Sequence, residues 1–202
     1  MQRKNLGTML CPVARTLERV GEWWSILILR DAFYGLTRFE QFQESLGIAT
    51  NMLTRRLNGL VDAGLLERRL YSQHPPRHDY VLTPRGRDFW PVLVTLMAYG
   101  NRHFAEEGIP SRLADAATGR PVEALLVDRA TGQPIDSEHY KLAAGPGADA
   151  ALRMRIRFTE KKRANEDPSK EWAAYLRLKE ARKKKVATSR PKRAPATGRI
   201  QS

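Results

Sequence analysis

The polar side chains between residues 50 and 58 have the types and spacing that suit the edges of nucleic-acid bases. Three leucines recur at helical spacing in and just beyond this stretch, which predicts a helix with one face committed to a core. Asn51 and Arg55 fall on the outer face, where Asn can pair with adenine and Arg with guanine. A solvated surface arginine is the alternative for Arg55. The residues predicted on or near the outer face are Thr50, Asn51, Thr54, Arg55 and Asn58, with the two threonines contacting bases or phosphates.

Further basic side chains are placed to contact a phosphate backbone rather than bases. Arg56 flanks the inner face of the same helix, which predicts either a phosphate contact or a structural salt bridge. Arg38 lies at the start of the helix that comes before the base-facing helix, and it is expected to reach a backbone phosphate. His74, Arg77 and His78 share a loop that either extends to DNA or is a passive polar loop. Phosphate contacts supply affinity and register without sequence information, so we expect binding to weaken steeply with salt.

The single cysteine, Cys11, stands directly before Pro12. Proline is favourable at the first position of a helix because its missing N–H would be unpaired there anyway. Cys11 is therefore expected at a helix N-terminus, where backbone N–H groups favour the reactive thiolate. The alternative is a small buried apolar side chain. If Cys11 reacts, we expect an inter-subunit disulfide or an adduct, since the chain has no second cysteine.

No other group of residues predicts catalysis, a cofactor or a metal site. The four histidines, two in the loop just described plus His103 and His139, are not clustered with cysteines or carboxylates at ligand spacing. The sequence has no glycine-rich phosphate loop and no nucleophile elbow. No apolar run reaches the roughly 18 residues of a membrane helix, and no secretory signal is visible. We therefore expect neither an enzyme nor a membrane protein, and the lone cysteine suits the cytoplasm.

Two helices are predicted ahead of the base-facing helix. The first covers residues 12–20, and the second covers residues 24–34 and is apolar nearly all round, which predicts a central position. Trp23 and Trp24, at the start of the second helix, are expected in a core and an interface rather than around a ligand.

A third helix and a tight turn then lead into the base-facing helix. Thr37 and Glu40 match the T-x-x-E pattern of a capping box for the third helix. Thr50 is the expected N-cap of the fourth helix and Gly64 its C-terminal stop. Two short amphipathic helices joined by a tight turn predict a helix-turn-helix.

A hairpin and a long helix complete the predicted order. Residues 65–71 and 80–83 read as strands, and the intervening residues 72–78, with two prolines, read as an exposed tip. A long helix follows over residues 84–104 with an apolar stripe too large for this small domain. That stripe and the first helix predict a dimer interface, and the whole order is that of a winged helix.

Charge and composition divide the chain into three predicted regions. Residues 1–110 carry 14 basic and 11 acidic residues and form the mainly α (α+β) winged-helix domain. Residues 111–158 are predicted as a small β-rich appendage, because residues 122–128 read as a strand and a second apolar patch lies near the end of the region. Residues 159–202 are predicted as a basic, largely disordered tail in which 168–185 could form a helix. This tail carries most of the net charge of +13, which suits a polyanionic partner.

Several ordered motifs resemble those of one family across residues 9–105. They are Cys11-Pro12-Val13, Gly21-Glu22-Trp23-Trp24, Leu27-Ile28-Leu29-Arg30-Asp31, Phe33-Tyr34-Gly35, Arg38-Phe39, Leu53-Thr54-Arg55-Arg56-Leu57, Gly64-Leu65 and Tyr80-Val81-Leu82-Thr83-Pro84-Arg85-Gly86. This pattern resembles the HxlR-type winged helix-turn-helix regulators of the MarR-like superfamily. The family often has Ser-Pro-Lys where this chain has Ala49-Thr50-Asn51, so base preference is expected to differ.

The resemblance implies a bacterial transcription factor that dimerises and binds palindromic operators on double-stranded DNA. Several family members sense oxidants or electrophiles through a cysteine in the position of Cys11, which implies a sensor here. The leading hypothesis is therefore a sequence-specific regulator, more often a repressor, responsive to a small-molecule or oxidant effector. The alternative is a nucleoid-associated, architectural protein that binds DNA mainly through its basic tail.

Overall fold

The computed structural model describes Leu6, Met9 and residues 11–188 of the 202-residue chain. Clustering of contacts separates two compact units, Met1–Pro134 and Ile135–Ser202, so the boundary lies later than the one expected after residue 110. The last part of the predicted basic tail, residues 189–202, lies outside the described residues. The first unit contains α1 (Pro12–Val20), α2 (Trp23–Phe33), α3 (Phe39–Leu46), α4 (Thr50–Asp62), β1 (Leu66–Gln73), β2 (Pro76–Leu82), α5 (Pro84–Arg87) and α6 (Trp90–His103). This order confirms the predicted winged helix.

The core of the first unit forms around α2, as its all-round apolar character predicts. Ile28 and Leu29 are fully buried, and so is Phe42 of α3. The inward leucines of α4 close the core from the other side, because residues three and four apart share one helix face. The fully buried apolar side chains are Ile28, Leu29, Phe42, Leu53, Leu57, Leu60 and Leu66.

A buried carboxylate fastens α2 to α3. Asp31 is 1% exposed, and its Oδ1 lies 2.7 Å from Nη2 of Arg30. Its Oδ2 accepts a 2.8 Å hydrogen bond from the Ser45 hydroxyl near the end of α3. Because both oxygens have partners, burial of this charge is compensated and the spacing of the two helices is fixed.

The local hydrogen bonds at the helix-turn-helix differ from the predicted ones. The α3 N-terminus is capped by Gln41, whose Oε1 accepts 3.0 Å bonds from the N–H groups of Thr37 and Arg38. The predicted Thr37–Glu40 capping box is therefore wrong, since the Thr37 hydroxyl donates instead to Asp79 at 2.8 Å. Thr50 is the first residue of α4 rather than its N-cap, which is Ala49.

The wing is a two-stranded antiparallel sheet with a shorter tip than predicted. Ladder pairing extends to Gln73 opposite Pro76, with an irregularity between Leu70 and Ser72. Pro76 is tolerated because a two-stranded sheet has only edge strands, so an N–H can be missing on the open side. A β-bridge between Arg38 and Asp79 joins the wing to the start of α3.

The predicted long helix after the wing is broken into α5 and α6. Asp88 and Phe89 form a turn between the two helices. Pro91 has no N–H to bond the carbonyl of Arg87, and its ring would clash with that carbonyl in a continuous helix. The apolar stripe of α6 is nonetheless present on a helix of 14 residues.

Residues 111–134 contain two nearly identical turns in place of strands. Asp115 accepts hydrogen bonds from the amide and hydroxyl of Thr118, and these bonds lower its pKa. Asp128 accepts in the same way from the hydroxyl of Thr131 at 2.8 Å. Each turn closes one isolated β-bridge. Residues 111–134 therefore contain isolated bridges and not the strands of the predicted β-rich appendage.

The second unit contains a helical hairpin formed by α7 (Ala150–Arg163) and α8 (Ser169–Thr188). Ring contacts between Phe158 and Trp172, with centroids 5.0 Å apart, pack the two helices together. The β prediction for residues 150–158 is therefore wrong, because alternating residues on α7 are half-buried on its two packed sides. The predicted helix over 168–185 is confirmed, and disorder is wrong for residues 159–188.

The described residues contain neither a membrane-spanning helix nor a cluster of metal ligands. None of the helices there is long and apolar enough to cross a membrane. Within the same part of the chain, no group of three or more His, Cys, Asp or Glu residues is arranged to hold a metal ion.

Candidate nucleic-acid interface

One face of α4 is polar and open to solvent. Thr50, Asn51, Thr54 and Arg55 are all exposed, whereas the three leucines on the opposite face are fully buried. The 3.6-residue period of the helix produces this division, since the leucines recur every three or four residues. The predicted outer face is therefore present as a surface.

The outer side chains of α4 are not equally free to bind a partner. The Thr54 hydroxyl donates to the carbonyl of Thr50 at 2.8 Å, and the Thr50 hydroxyl accepts from Gln43 at 3.0 Å. Among the described residues, Asn51 and Arg55 have no recorded side-chain hydrogen bond or ion pair. Their polar groups are therefore available for a partner. Gln43 of α3, which the sequence analysis did not predict at this surface, also contributes to it through its bond to Thr50.

Arg56 and Asn58 are turned towards the protein. Nη2 of Arg56 lies 3.0 Å from Oε2 of Glu22, and the Arg56 side chain is 11% exposed. The salt-bridge alternative predicted for Arg56 matches this geometry. Asn58 is half-buried, and its Oδ1 accepts a hydrogen bond from Arg68 of the wing. These two residues tie α4 to its neighbours.

Arg38 lies where α3 meets the base of the wing. Its guanidinium carbon is 4.8 Å from the centre of the Tyr71 ring, and its Nε is 3.9 Å from Oδ1 of Asp79. The side chain is 56% exposed, so part of the guanidinium faces solvent. The contacts with Tyr71 and Asp79 hold this cation beside the open face without burying it.

The wing carries basic side chains along its length. His74 and Arg77 are exposed at the tip, and His78 is half-buried beside them. Arg68 and Arg69 of β1 are also exposed and were missed by sequence reasoning. Their signal was the pair of adjacent arginines in a strand that lies on a hairpin, because at least one of them must face outward.

Cys11 occupies the N-cap position of α1, as predicted. Its carbonyl accepts a 3.0 Å hydrogen bond from the amide of Arg15, and its side chain is half-buried. The thiol is therefore neither sealed in the core nor fully exposed. Val13, two residues on, is 66% exposed, so this end of α1 has an apolar side open to solvent.

Comparison with known proteins supplies an independent view of the domain. The model of the HxlR-like helix-turn-helix family matches residues 19–108. Rv3095 of Mycobacterium tuberculosis, named as an HTH-type transcriptional regulator, is 40% identical over 141 residues, which are 69% of this chain and 89% of the relative.

Two solved structures share both sequence and fold with the chain. PA1374 of Pseudomonas aeruginosa, described as a transcription factor, is 53% identical with a TM-score of 0.54, and the match covers 72% of this chain and all of that one. PA1607, also described as a transcription factor, is 38% identical with a TM-score of 0.64, covering 70% of this chain and all of that one. The chain belongs to the HxlR-like helix-turn-helix family and is a transcriptional regulator of the helix-turn-helix type.

Proposed function

We propose that the protein is a repressor that binds a palindromic operator in double-stranded DNA as a homodimer. The observation that carries the proposal is the open polar face of α4, opposite three fully buried leucines. A helix of this kind fits the major groove, where Asn and Arg distinguish bases by paired hydrogen bonds. Asn51 and Arg55 read bases, and Thr50 and Thr54 contact bases or phosphates.

Phosphate contacts position α4 in the groove. Arg38 serves at the base of the wing, and His74, Arg77 and His78 serve at its tip. Arg56 and Asn58 act indirectly, because their side chains bond to Glu22 and Arg68. A bound dimer of this kind represses by occupying promoter DNA.

The homodimer is supported by apolar side chains that the first unit leaves uncovered. Val13 and Leu17 of α1 are 66% and 43% exposed, and Leu96 and Tyr99 of α6 are 48% and 58% exposed. Apolar surface of this extent is unfavourable in water and is typical of an interface. Two copies of α4 then meet two half-sites about one turn of DNA apart.

The proposal includes a chemical signal received at Cys11. Its half-buried thiol at the N-terminus of α1 is accessible to small reagents. An electrophile adds to the thiolate, or an oxidant takes two electrons and two protons from two Cys11 thiols and leaves an inter-subunit disulfide. Loss of DNA binding on treatment with a thiol-modifying electrophile, and its retention in Cys11→Ser, would support this role.

Gel retardation tests the proposal on the DNA upstream of the protein's own gene. The wild-type protein should retard this DNA in preference to unrelated DNA of equal length, and Arg55→Ala should reduce the preference. Arg129→Ala, which removes another exposed arginine outside the interface, should leave it intact. Equal retardation of both DNAs by the wild-type protein would refute sequence-specific binding to this DNA, whereas a loss in both variants would refute the role of Arg55.

A further inference from the structure

The outward face of α8 carries a line of basic side chains. Lys170, Arg177 and Lys184 are all exposed and are seven residues apart. Seven residues are close to two helical turns, so the three side chains lie along one side of the helix, with rises of about 10.5 Å between neighbours. We call these three residues the α8 stripe.

Small side chains separate the cations of the α8 stripe. Ala173 and Ala181 lie on the same side of the helix as Arg177. Alanine has a short side chain that extends little from the helix, so a partner can approach the three cations closely.

The acidic residues of α8 are engaged beside the stripe. Glu171 turns towards α7, where its Oε1 lies 3.2 Å from Nζ of Lys161. Glu180, which lies between Arg177 and Lys184 on the helix surface, is paired with Lys183 and is also close enough to attract Lys184. The stripe thus keeps a net positive potential, and exposed Arg153, Arg155 and Arg157 of α7 add to the positive charge of the unit.

We propose that the α8 stripe binds phosphate groups of the DNA backbone, without regard to sequence, and so strengthens the binding described under the proposed function, on which it rests. Three cations along about 21 Å can each neutralise a phosphate and release counterions. DNA fits better than a lipid surface, because a membrane-binding helix needs bulky apolar side chains on its binding face. Trp172 and Leu176 instead lie about 100° or more around the axis from Arg177.

The test replaces the stripe in the full-length protein by Lys170→Gln, Arg177→Gln and Lys184→Gln together. The matched control is Arg112→Gln, Arg120→Gln and Arg129→Gln, which removes the same charge from exposed positions outside the hairpin. Binding to fluorescent duplexes is measured by anisotropy between 50 and 200 mM KCl, on the upstream DNA and on unrelated DNA. Circular dichroism checks that each variant keeps its helix content.

The stripe variant should lower the slope of log affinity against log salt by about 2.7, or about 0.9 per lost phosphate contact. Over this fourfold salt range, the fall in affinity becomes about 40-fold smaller on both duplexes. The control should keep the wild-type slope. An unchanged slope in the stripe variant, or an equal change in the control, would overturn the proposal.

Two further readouts separate this proposal from its neighbours. The preference for upstream over unrelated DNA belongs to α4, so the stripe variant should keep it. If the stripe variant has a reduced slope but the wild-type protein shows no preference for the upstream DNA, the phosphate-binding role of the stripe is supported and sequence-specific binding to this DNA is refuted. If the wild-type protein binds vesicles of phosphatidylserine and phosphatidylcholine, and the stripe variant loses only that binding, the stripe is a membrane surface and the proposal fails.

Discussion

Arg55 and Arg56 are neighbours in the sequence, yet their side chains lie in different environments. The turn of about 100° per residue places Arg55 on the open face of α4 and Arg56 against Glu22. The sequence predicts the position of Arg55 because the leucines define the opposite face. It does not decide between the two roles of Arg56, because a side chain at the edge of the apolar face can point to solvent or to the protein. The direction depends on Glu22, a partner from another part of the chain.

Arg56→Met tests this difference at the level of one side chain. We expect it to lower the free energy of unfolding by about 1–3 kcal/mol, since it leaves the half-buried carboxylate of Glu22 without this partner. Arg55→Met, the matched control on the exposed face, should change stability by less than about 0.5 kcal/mol. Urea unfolding followed by circular dichroism measures both variants. Equal stabilities for the two would show that the ion pair contributes little and would reopen a phosphate role for Arg56.

The positions of helices were predictable where apolar periodicity is strong. The ends of helices were not predictable where they depend on particular side-chain hydrogen bonds. The leucine spacing of α4 and the all-round apolar character of α2 indicate their positions directly. The cap of α3 was not predictable, because Thr37 and Gln41 can both cap and Asp79, 42 residues away from Thr37, takes the threonine hydroxyl. The helix α7 was missed because residues packed on two sides alternate as they would in a strand.

A matched pair of glycine substitutions tests how the elements pack. In Gly86→Ala, the new Cβ would lie 2.0 Å from the carbonyl oxygen of Leu65, so α5 must move from the base of the wing. We expect a loss of more than about 2 kcal/mol in the free energy of unfolding. In Gly59→Ala, on the exposed side of α4, nothing lies within 4 Å of the new Cβ, and alanine should stabilise the helix by about 0.5–1 kcal/mol.

Thermal or urea unfolding of the two glycine variants gives the sign of each effect. Opposite signs are expected from the same chemical change, because one site is closed by a backbone carbonyl and the other is open. If Gly86→Ala unfolds like the wild-type protein, the close contact between α5 and Leu65 is not a feature of the folded molecule.

For the whole molecule, charge and apolar surface are distributed over different parts of the chain. The excess of basic residues lies mainly beyond residue 154, whereas several large exposed apolar side chains lie on α1 and α6 of the first unit and others, such as Trp23 and Leu125, lie elsewhere in it. Composition predicts where the basic residues are concentrated, because charges can be counted along the sequence. It does not predict that much of the basic region folds into two helices, since the helices are held by an aromatic contact between Phe158 of α7 and Trp172 of α8, which composition does not show.

Leu96→Glu tests the proposed dimer. A carboxylate on the exposed apolar side of α6 should be strongly unfavourable in a buried interface, so we expect a monomer by size-exclusion chromatography with light scattering. Leu142→Glu, at a leucine that is 90% exposed in the second unit, should leave the oligomeric state unchanged. Should Leu96→Glu be unfolded, Tyr99→Glu provides a second test on the same helix. A folded dimer in both α6 variants would contradict this interface.

Sequencing of duplexes selected by the protein from a random pool tests most directly whether α4 reads bases. The account predicts a two-fold symmetric motif with half-sites about one helical turn apart. Asn51→Ala and Arg55→Ala should each relax the preference at particular positions of both half-sites, at a cost of about 1–3 kcal/mol per contact. An enriched motif that both variants preserve, or no enriched motif for the wild-type protein, would contradict the account.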